Sequence, residues 1–240
     1  PTPTDALPAM GPAWTPPADA DSARASLERI RRLGFTVVRV APGVSRDLRA
    51  WAARLGVRFY VDLPLAYLTA SQLTDTLGYV TRMADSLRAS GADSTLAGIG
   101  LGSNHATRST ATCDALQQAA QSVRQRLPRT TVYYQTAFAD DACPPEAGLP
   151  LLDLRDSDES GQRWADWKAA HPDRRAALLL GQAVYPGEEG LRADHSPERA
   201  ARLLETTFNA LVSDTTQPAF ILLHRWTTIG QDPYGLLTDD

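Results

Sequence analysis

Two short phrases constrain the architecture most. Leu33-Gly34-Phe35 and Leu55-Gly56-Val57 stand 22 residues apart, and each joins a stretch of helical periodicity to an apolar, β-branched run. In the first, Leu27, Ile30 and Leu33 follow helical spacing over Ser22 to Leu33, Gly34 suits the position just past a helix end, and Phe35 to Val40 reads as a strand. In the second, Ser45 can cap a helix carrying Leu48, Trp51, Ala52 and Leu55, and Gly56 ends it before a strand over Val57 to Leu63. A chain that keeps turning from amphipathic helix into doubly apolar strand specifies a parallel sheet covered by helices, because parallel neighbours need a crossover between them.

The alternation continues. Helices are expected over 71–88, 113–127, 160–170 and 197–212, and strands over 96–101, 131–135, 149–154, 176–180 and 219–223. Seven strands with a helix before the first predict an α/β fold, a (β/α)8 TIM-type barrel whose opening strand is irregular, around Ala6 to Met10, or missing from the chain. Pro1, Pro3, Pro8, Pro12, Pro16 and Pro17 make residues 1–21 read as a Pro-rich extended segment. No interior linker interrupts residues 22–240, which are expected to form the barrel as one domain. An open doubly wound sheet is the structural alternative. Gly98-Ile99-Gly100-Leu101-Gly102 superficially resembles a nucleotide loop, but it lies largely within a strand rather than between strand and helix, so no cofactor is expected.

With 240 residues and 43% hydrophobic side chains, the chain can build a packed core without staples. Lys and Arg number 24 against 28 Asp and Glu, and the basic residues are scattered along the sequence, which disfavours nucleic acid as a partner. No apolar run approaches the roughly 18 to 20 residues that cross a bilayer, so no membrane insertion by this chain is expected. Pro1 is not an initiator Met, as in a processed chain or an excised piece. Lys168 is the only lysine and Cys113 and Cys143 are the only cysteines, too few for a zinc cage; no metal is expected.

In a parallel barrel, chemistry collects where strands run into the following loops. Those positions hold Arg39, Asp62, Asn104 with His105, Gln135, Asp153 with Asp156, Gln182, and Arg225 with Trp226. The chain resembles the retaining (β/α)8 glycoside hydrolases, especially the barrel domain of glycoside hydrolase family two, in element order over about Ser22 to Asp240. Ile30 to Arg39 looks like the family's second strand, whose arginine supports the active site. Leu101-Gly102-Ser103-Asn104 resembles the fourth-strand Gly-Asn-Glu motif, and Leu179-Leu180-Gly181-Gln182 the seventh-strand segment ending in the nucleophile. Ile221 to Trp226, with Asp232 to Leu237, looks like the eighth strand and its exit, with Trp226 at the floor of the sugar site.

What the resemblance implies is changed by two amides. Retaining hydrolysis needs one carboxyl group to protonate the leaving oxygen and another to attack the anomeric carbon. Asn104 and Gln182 stand where the glutamates are expected; an amide can hydrogen-bond a sugar but neither carries the mobile proton nor forms a glycosyl ester. A shift of one residue puts His105 at the acid position and still leaves no nucleophile. The expected function is therefore a non-catalytic, glycoside-hydrolase-like barrel that binds carbohydrate or serves as a structural module of an extracytoplasmic assembly. Arg39, Asp62, Asn104, His105, Asp153, Gln182 and Trp226 are its candidate substrate contacts. Tyr67, Tyr185 and Tyr234 are further aromatic faces. An active hydrolase using relocated carboxylates, Asp62, Asp153 or Glu188, is the first alternative, and a protein-interaction scaffold the second. The run from Asp153 through Asp156, Asp158 and Glu159 reads as a solvated helix start rather than a calcium loop.

Cys113 and Cys143 fall on the loop side of neighbouring strands, within reach of a disulfide that would close a 29-residue span and point to an oxidising compartment.

Overall fold

The computed structural model describes residues 8–65, 69–103, 105, 107, 109–137, 143–155, 159–181, 202, 204–209, 211 and 217–224. Eight strands run parallel: β1 Ala9–Pro12, β2 Val37–Val40, β3 Arg58–Asp62, β4 Leu96–Gly100, β5 Thr131–Ala137, β6 Leu149–Asp153, β7 Ala177–Leu180 and β8 Phe220–Leu223. Their order around the sheet is β1-β8-β7-β6-β5-β4-β3-β2. The two ends of that series meet, since Ala13 bridges Arg39 in parallel register and the Trp14 amide donates to the Arg39 carbonyl at 2.7 Å. The result is a nearly closed (β/α)8 barrel. Helices α1 Ala20–Arg32, α2 Arg46–Leu55, α3 Ala70–Asp75, α4 Leu77–Ala89, α5 Thr110–Arg126 and α6 Ser160–Ala170 are its described cover, with residues 204–209 also helical between β7 and β8.

The helix ends follow the capping chemistry written in the sequence. Asp19 accepts from the Ser22 amide to start α1, and Ser45 accepts from the Leu48 amide to start α2. Gly56 ends α2 in the left-handed conformation, with φ 69°. Thr76, with ψ near zero, breaks the helix expected over 71–88 by closing α3 and opening α4. Helix α5 begins three residues earlier than its apolar pattern, because Ser109 takes the N-cap position. The helix expected over 197–212 lies mostly outside the described residues.

The opening strand is present. It lies inside the Pro-rich stretch, so a boundary at residues 21 and 22 cuts through the sheet. Pro12 is its last residue, where a missing donor costs the ladder least. Gly11 makes the closure sterically feasible: a Cβ there would stand 1.6 Å from the Val37 carbonyl oxygen. At that seam β1 and β2 pack backbone against backbone.

The core has two shells. Leu27, Ile30, Val38, Val40, Ala52, Leu116 and Trp164 are among the buried residues that seal helices to the outside of the sheet. Inside the barrel, Val37, Tyr60, Tyr133, Leu151, Leu179, Phe220 and Leu222 pack together. Three rings form the plug, with centroids 4.3 Å apart for Tyr60 and Phe220, 5.5 Å for Tyr60 and Tyr133, and 5.4 Å for Tyr133 and Phe220. Gly98 and Gly100 leave them room. A Cβ on Gly98 would meet the Tyr60 ring at 2.6 Å, and one on Gly100 would meet the Asp62 carboxylate at 2.2 Å and the Tyr133 ring at 2.8 Å. The glycine pattern in β4 thus serves interior packing. The cysteines form a disulfide, S–S 2.04 Å, that ties the first turn of α5 to the segment preceding β6.

Candidate functional site

Alternation along the strands decides which side chains reach the mouth. With Val37, Tyr60, Tyr133, Leu151 and Phe220 in the barrel interior, the residues two further on, Arg39, Asp62, Gln135, Asp153 and Leu222, share that face nearer the strand C-termini. Four are polar. Above the aromatic plug they form one hydrogen-bonded chain.

It starts at Tyr133, whose hydroxyl donates to Asp62 Oδ1. Arg39 donates to Asp62 Oδ2 through Nε and closes an ion pair with the same oxygen through a terminal nitrogen. That terminal nitrogen also donates to Gln135 Oε1 at 3.3 Å. The amide nitrogen of Gln135 passes the chain on to Asp153 Oδ2 at 2.9 Å. Arg155 grips Asp153 with Nε at 2.8 Å, a terminal nitrogen at 2.6 Å and its own backbone amide at 3.2 Å. The other terminal nitrogen of Arg155 meets His224 Nδ1 at 3.2 Å. Guanidinium only donates, so Nδ1 is the acceptor and His224 carries its proton on Nε2.

The network is largely desolvated. The Arg39 and Asp62 side chains are 15% and 22% exposed, and those of Arg155 and Asp153 14% each. Burial works against the Arg39 charge, but the attraction and hydrogen bonding of Asp62, together with the neighbouring Tyr133 and Asp153, outweigh it and hold the guanidinium above its usual pKa. For Asp153, burial favours the neutral acid, yet the hydrogen bonds and charge of Arg155 outweigh it and keep the pKa below the ordinary aspartate value. Burial lifts the Tyr133 phenol well above its usual range, and the Asp62 charge adds to the effect.

Of the residues singled out in the sequence, Arg39, Asp62 and Asp153 thus lie in one network. His105 is buried and turned back onto its own loop, where Nε2 donates to the Leu101 carbonyl at 2.7 Å. Asn104, Gln182, Trp226 and Glu188 lie outside the described residues, as do Tyr67, Tyr185, Tyr234, Asp156 and Asp158. Tyr133, Arg155 and His224 were missed. The strand-end position of His224, directly after the apolar run of β8, was the available signal; nothing in the sequence marks Arg155 as the partner of Asp153.

Beside the mouth, the loops after β1 and β2 enclose a cleft of about 410 Å³, within the usual size range of ligand pockets. Trp14, Pro16, Pro17, Pro42 and Val44 supply apolar wall, and Arg24 and Asp47 polar rim. Among the described residues, no group of three His, Cys, Asp or Glu side chains could hold a metal ion.

No family model matches the chain, and no curated protein matches it in sequence. Solved structures match its fold. The β-glucuronidase of Ruminococcus gnavus in complex with D-glucaro 1,5-lactone aligns with a TM-score of 0.76 at 12% identity, over 97% of this chain and 47% of that one. The GH2 β-galacturonidase of Eisenbergiella tayi bound to galacturonate gives 0.71 at 10% identity, over 92% and 45%. A GH5_18 protein from Streptomyces cattleya in complex with Manβ1-4GlcNAc gives 0.71 at 16% identity, over 96% and 76%. The chain spans about half the length of the first two. At these identities the likeness is one of fold: the structural neighbours are glycoside hydrolases built on the same (β/α)8 barrel.

Proposed function

We propose that this glycoside-hydrolase-like barrel is a non-catalytic carbohydrate-binding module that works outside the cytoplasm. One observation carries the proposal: both described carboxylates of the mouth, Asp62 and Asp153, are spent on arginines. Each oxygen of Asp62 is occupied, one by Arg39 and one by Tyr133. Asp153 accepts from Gln135 and repeatedly from Arg155. A carboxylate whose oxygens are so occupied is a poor nucleophile, and the lowered pKa of Asp153 also makes it a poor proton donor near neutrality, which weighs against a hydrolase built on them. Asn104 and Gln182, at the two positions where the family motif calls for glutamate, weigh the same way.

Binding needs less than catalysis. A mouth edged by amide, guanidinium, carboxylate and imidazole groups matches the dense hydroxyls of a sugar, and the neighbouring cleft adds C–H-rich proline wall from Pro16, Pro17 and Pro42. In this reading Arg39, Gln135, Asp153 and His224 hydrogen-bond the ligand together with Asn104 and Gln182, and Trp226 stacks on it. The buried disulfide supports an oxidising compartment.

Calorimetry or a glycan array tests the binding: weak, saturable affinity for a saccharide, lowered at least about tenfold by Gln135→Ala, is expected. A panel of aryl glycosides tests the rest. No turnover is expected, and robust hydrolysis lost in Asp62→Asn or Asp153→Asn would overturn the non-catalytic reading.

A further inference from the structure

Parallel (β/α)8 topology puts every helix C-terminus, every αβ connection and every strand N-terminus on one face, opposite the mouth. Several of the basic residues, scattered along the sequence, converge there. The last turn of α1 carries Arg29, Arg31 and Arg32, that of α2 Arg54 and that of α4 Arg88. Arg58 opens β3 beside them. All six are exposed, and among the described residues none makes an ion pair. Cations at helix C-termini are favoured by the macrodipole, which accounts for those on α1, α2 and α4. Arg58 lies in no helix, so the dipole does not explain it.

Acids are fewer on this side: Asp85, one turn before Arg88 on α4, is held by Arg126, Asp93 follows α4, Glu146 lies beside α5, and Asp173 follows α6. Within the basic sector Leu33 is 57% exposed, the one large hydrophobic residue so exposed among those described. Two of the arginines are pre-oriented. Arg31 Nε donates to the Leu55 carbonyl at 3.0 Å, and a terminal nitrogen of Arg58 donates to the Leu96 carbonyl, fixing each guanidinium plane while other N–H groups remain free to face a ligand.

We propose that this face, from α1 across α2 to the end of α4, docks a carboxylate-rich protein segment. Anchored guanidinium forks suit bidentate carboxylates and lose little entropy on pairing. An exposed leucine among them suits a polypeptide, whose interface mixes apolar anchors with arginine, better than a phosphate backbone, which offers no apolar surface.

Binding of the folded chain to poly-L-glutamate and to a random Glu/Tyr copolymer, with duplex DNA of matched charge as comparator, decides it. Both polypeptides should bind at low salt, the copolymer more tightly, and both should weaken as salt rises. Arg32→Gln, Arg54→Gln and Arg88→Gln combined should lower affinity about tenfold while keeping good helix formers at the helix ends. Leu33→Ser should remove the advantage of the copolymer, and Arg46→Gln, at the opposite end of α2, should change nothing. No binding at low salt, an equal loss from Arg46→Gln, or tighter binding of DNA than of the copolymer would overturn the proposal.

Discussion

At the scale of single residues, the mouth depends on charges that cannot be removed one at a time. Arg39→Met would leave the Asp62 carboxylate partly buried and held by Tyr133 alone. Breaking a fully buried pair costs about 3 to 5 kcal/mol, and the partial exposure here brings the expectation to about 2 to 3 kcal/mol. Adding Asp62→Leu to Arg39→Met should recover more than half of that loss in a denaturation series, since no unpaired charge remains. Asp153 has a folded pKa below its unfolded value of roughly 3.9, so its stabilisation is complete above that value and is lost as pH falls through the folded pKa. Acid unfolding of Asp153→Asn should therefore be shallower below about pH 4 than that of the parent. The tyrosines behave in the opposite sense. Tyr60 and Tyr133 have raised values, chiefly through burial, so their contribution is intact below the unfolded value of roughly 10 and is lost as pH rises through the folded one. Spectrophotometric titration should find at least two of the seven tyrosines silent until the protein unfolds. Ionisation of all seven in the folded state would contradict the interior plug.

At the scale of elements, the two most consequential features are a seam and a staple. Gly11→Ala would drive a Cβ into the Val37 carbonyl at the junction of β1 and β2. Relief requires the strands to separate, so a loss at or above the roughly 1 to 3 kcal/mol of ordinary overpacking is expected. Hydrogen exchange at the Trp14 and Thr36 amides, which bond across this junction to the Arg39 and Met10 carbonyls, should speed up first. The disulfide joins α5 to the segment before β6 across a sequence separation of 30. Loop-closure entropy assigns about 3 to 4 kcal/mol to a ring of that size, so Cys113→Ala with Cys143→Ala should lower stability by nearly that amount. Unreduced, denatured protein should show no free thiol, and two would contradict the bridge.

At the scale of the whole molecule, two faces of one barrel carry different chemistry. The mouth neutralises its described charges pairwise within a fixed network, whereas on the opposite face Arg29, Arg31, Arg32, Arg54, Arg58 and Arg88 are exposed and make no ion pair among the described residues. Saccharide binding should therefore depend weakly on ionic strength, and polypeptide binding on the far face steeply. Measuring both over the same salt series tests the division directly; a common steep dependence would place both ligands on one surface. Gln135→Ala should affect only saccharide binding, and the Arg32, Arg54 and Arg88 substitutions only polypeptide binding.

The sequence by itself determined the alternation of elements, because periodicity, N-caps and post-helix glycines are local properties that act within a few residues of one another. Leu33-Gly34-Phe35 and Leu55-Gly56-Val57 marked helix-to-strand transitions, and seven of the eight strands were visible as apolar runs. Placing the opening strand within Ala9–Pro12 needed tertiary structure, since proline argues against a strand locally and only pairing with β8 and close approach to Val37 hold it there. Local pattern likewise marked Arg39, Asp62 and Asp153 as strand-end residues but was silent on Arg155 and His224, whose contact joins residues 69 apart in the chain. The concentration of arginines was hidden for the same reason. They are dispersed along the chain at helix ends and strand starts, and only parallel winding, which returns every crossover to the same side of the sheet, brings them to one face.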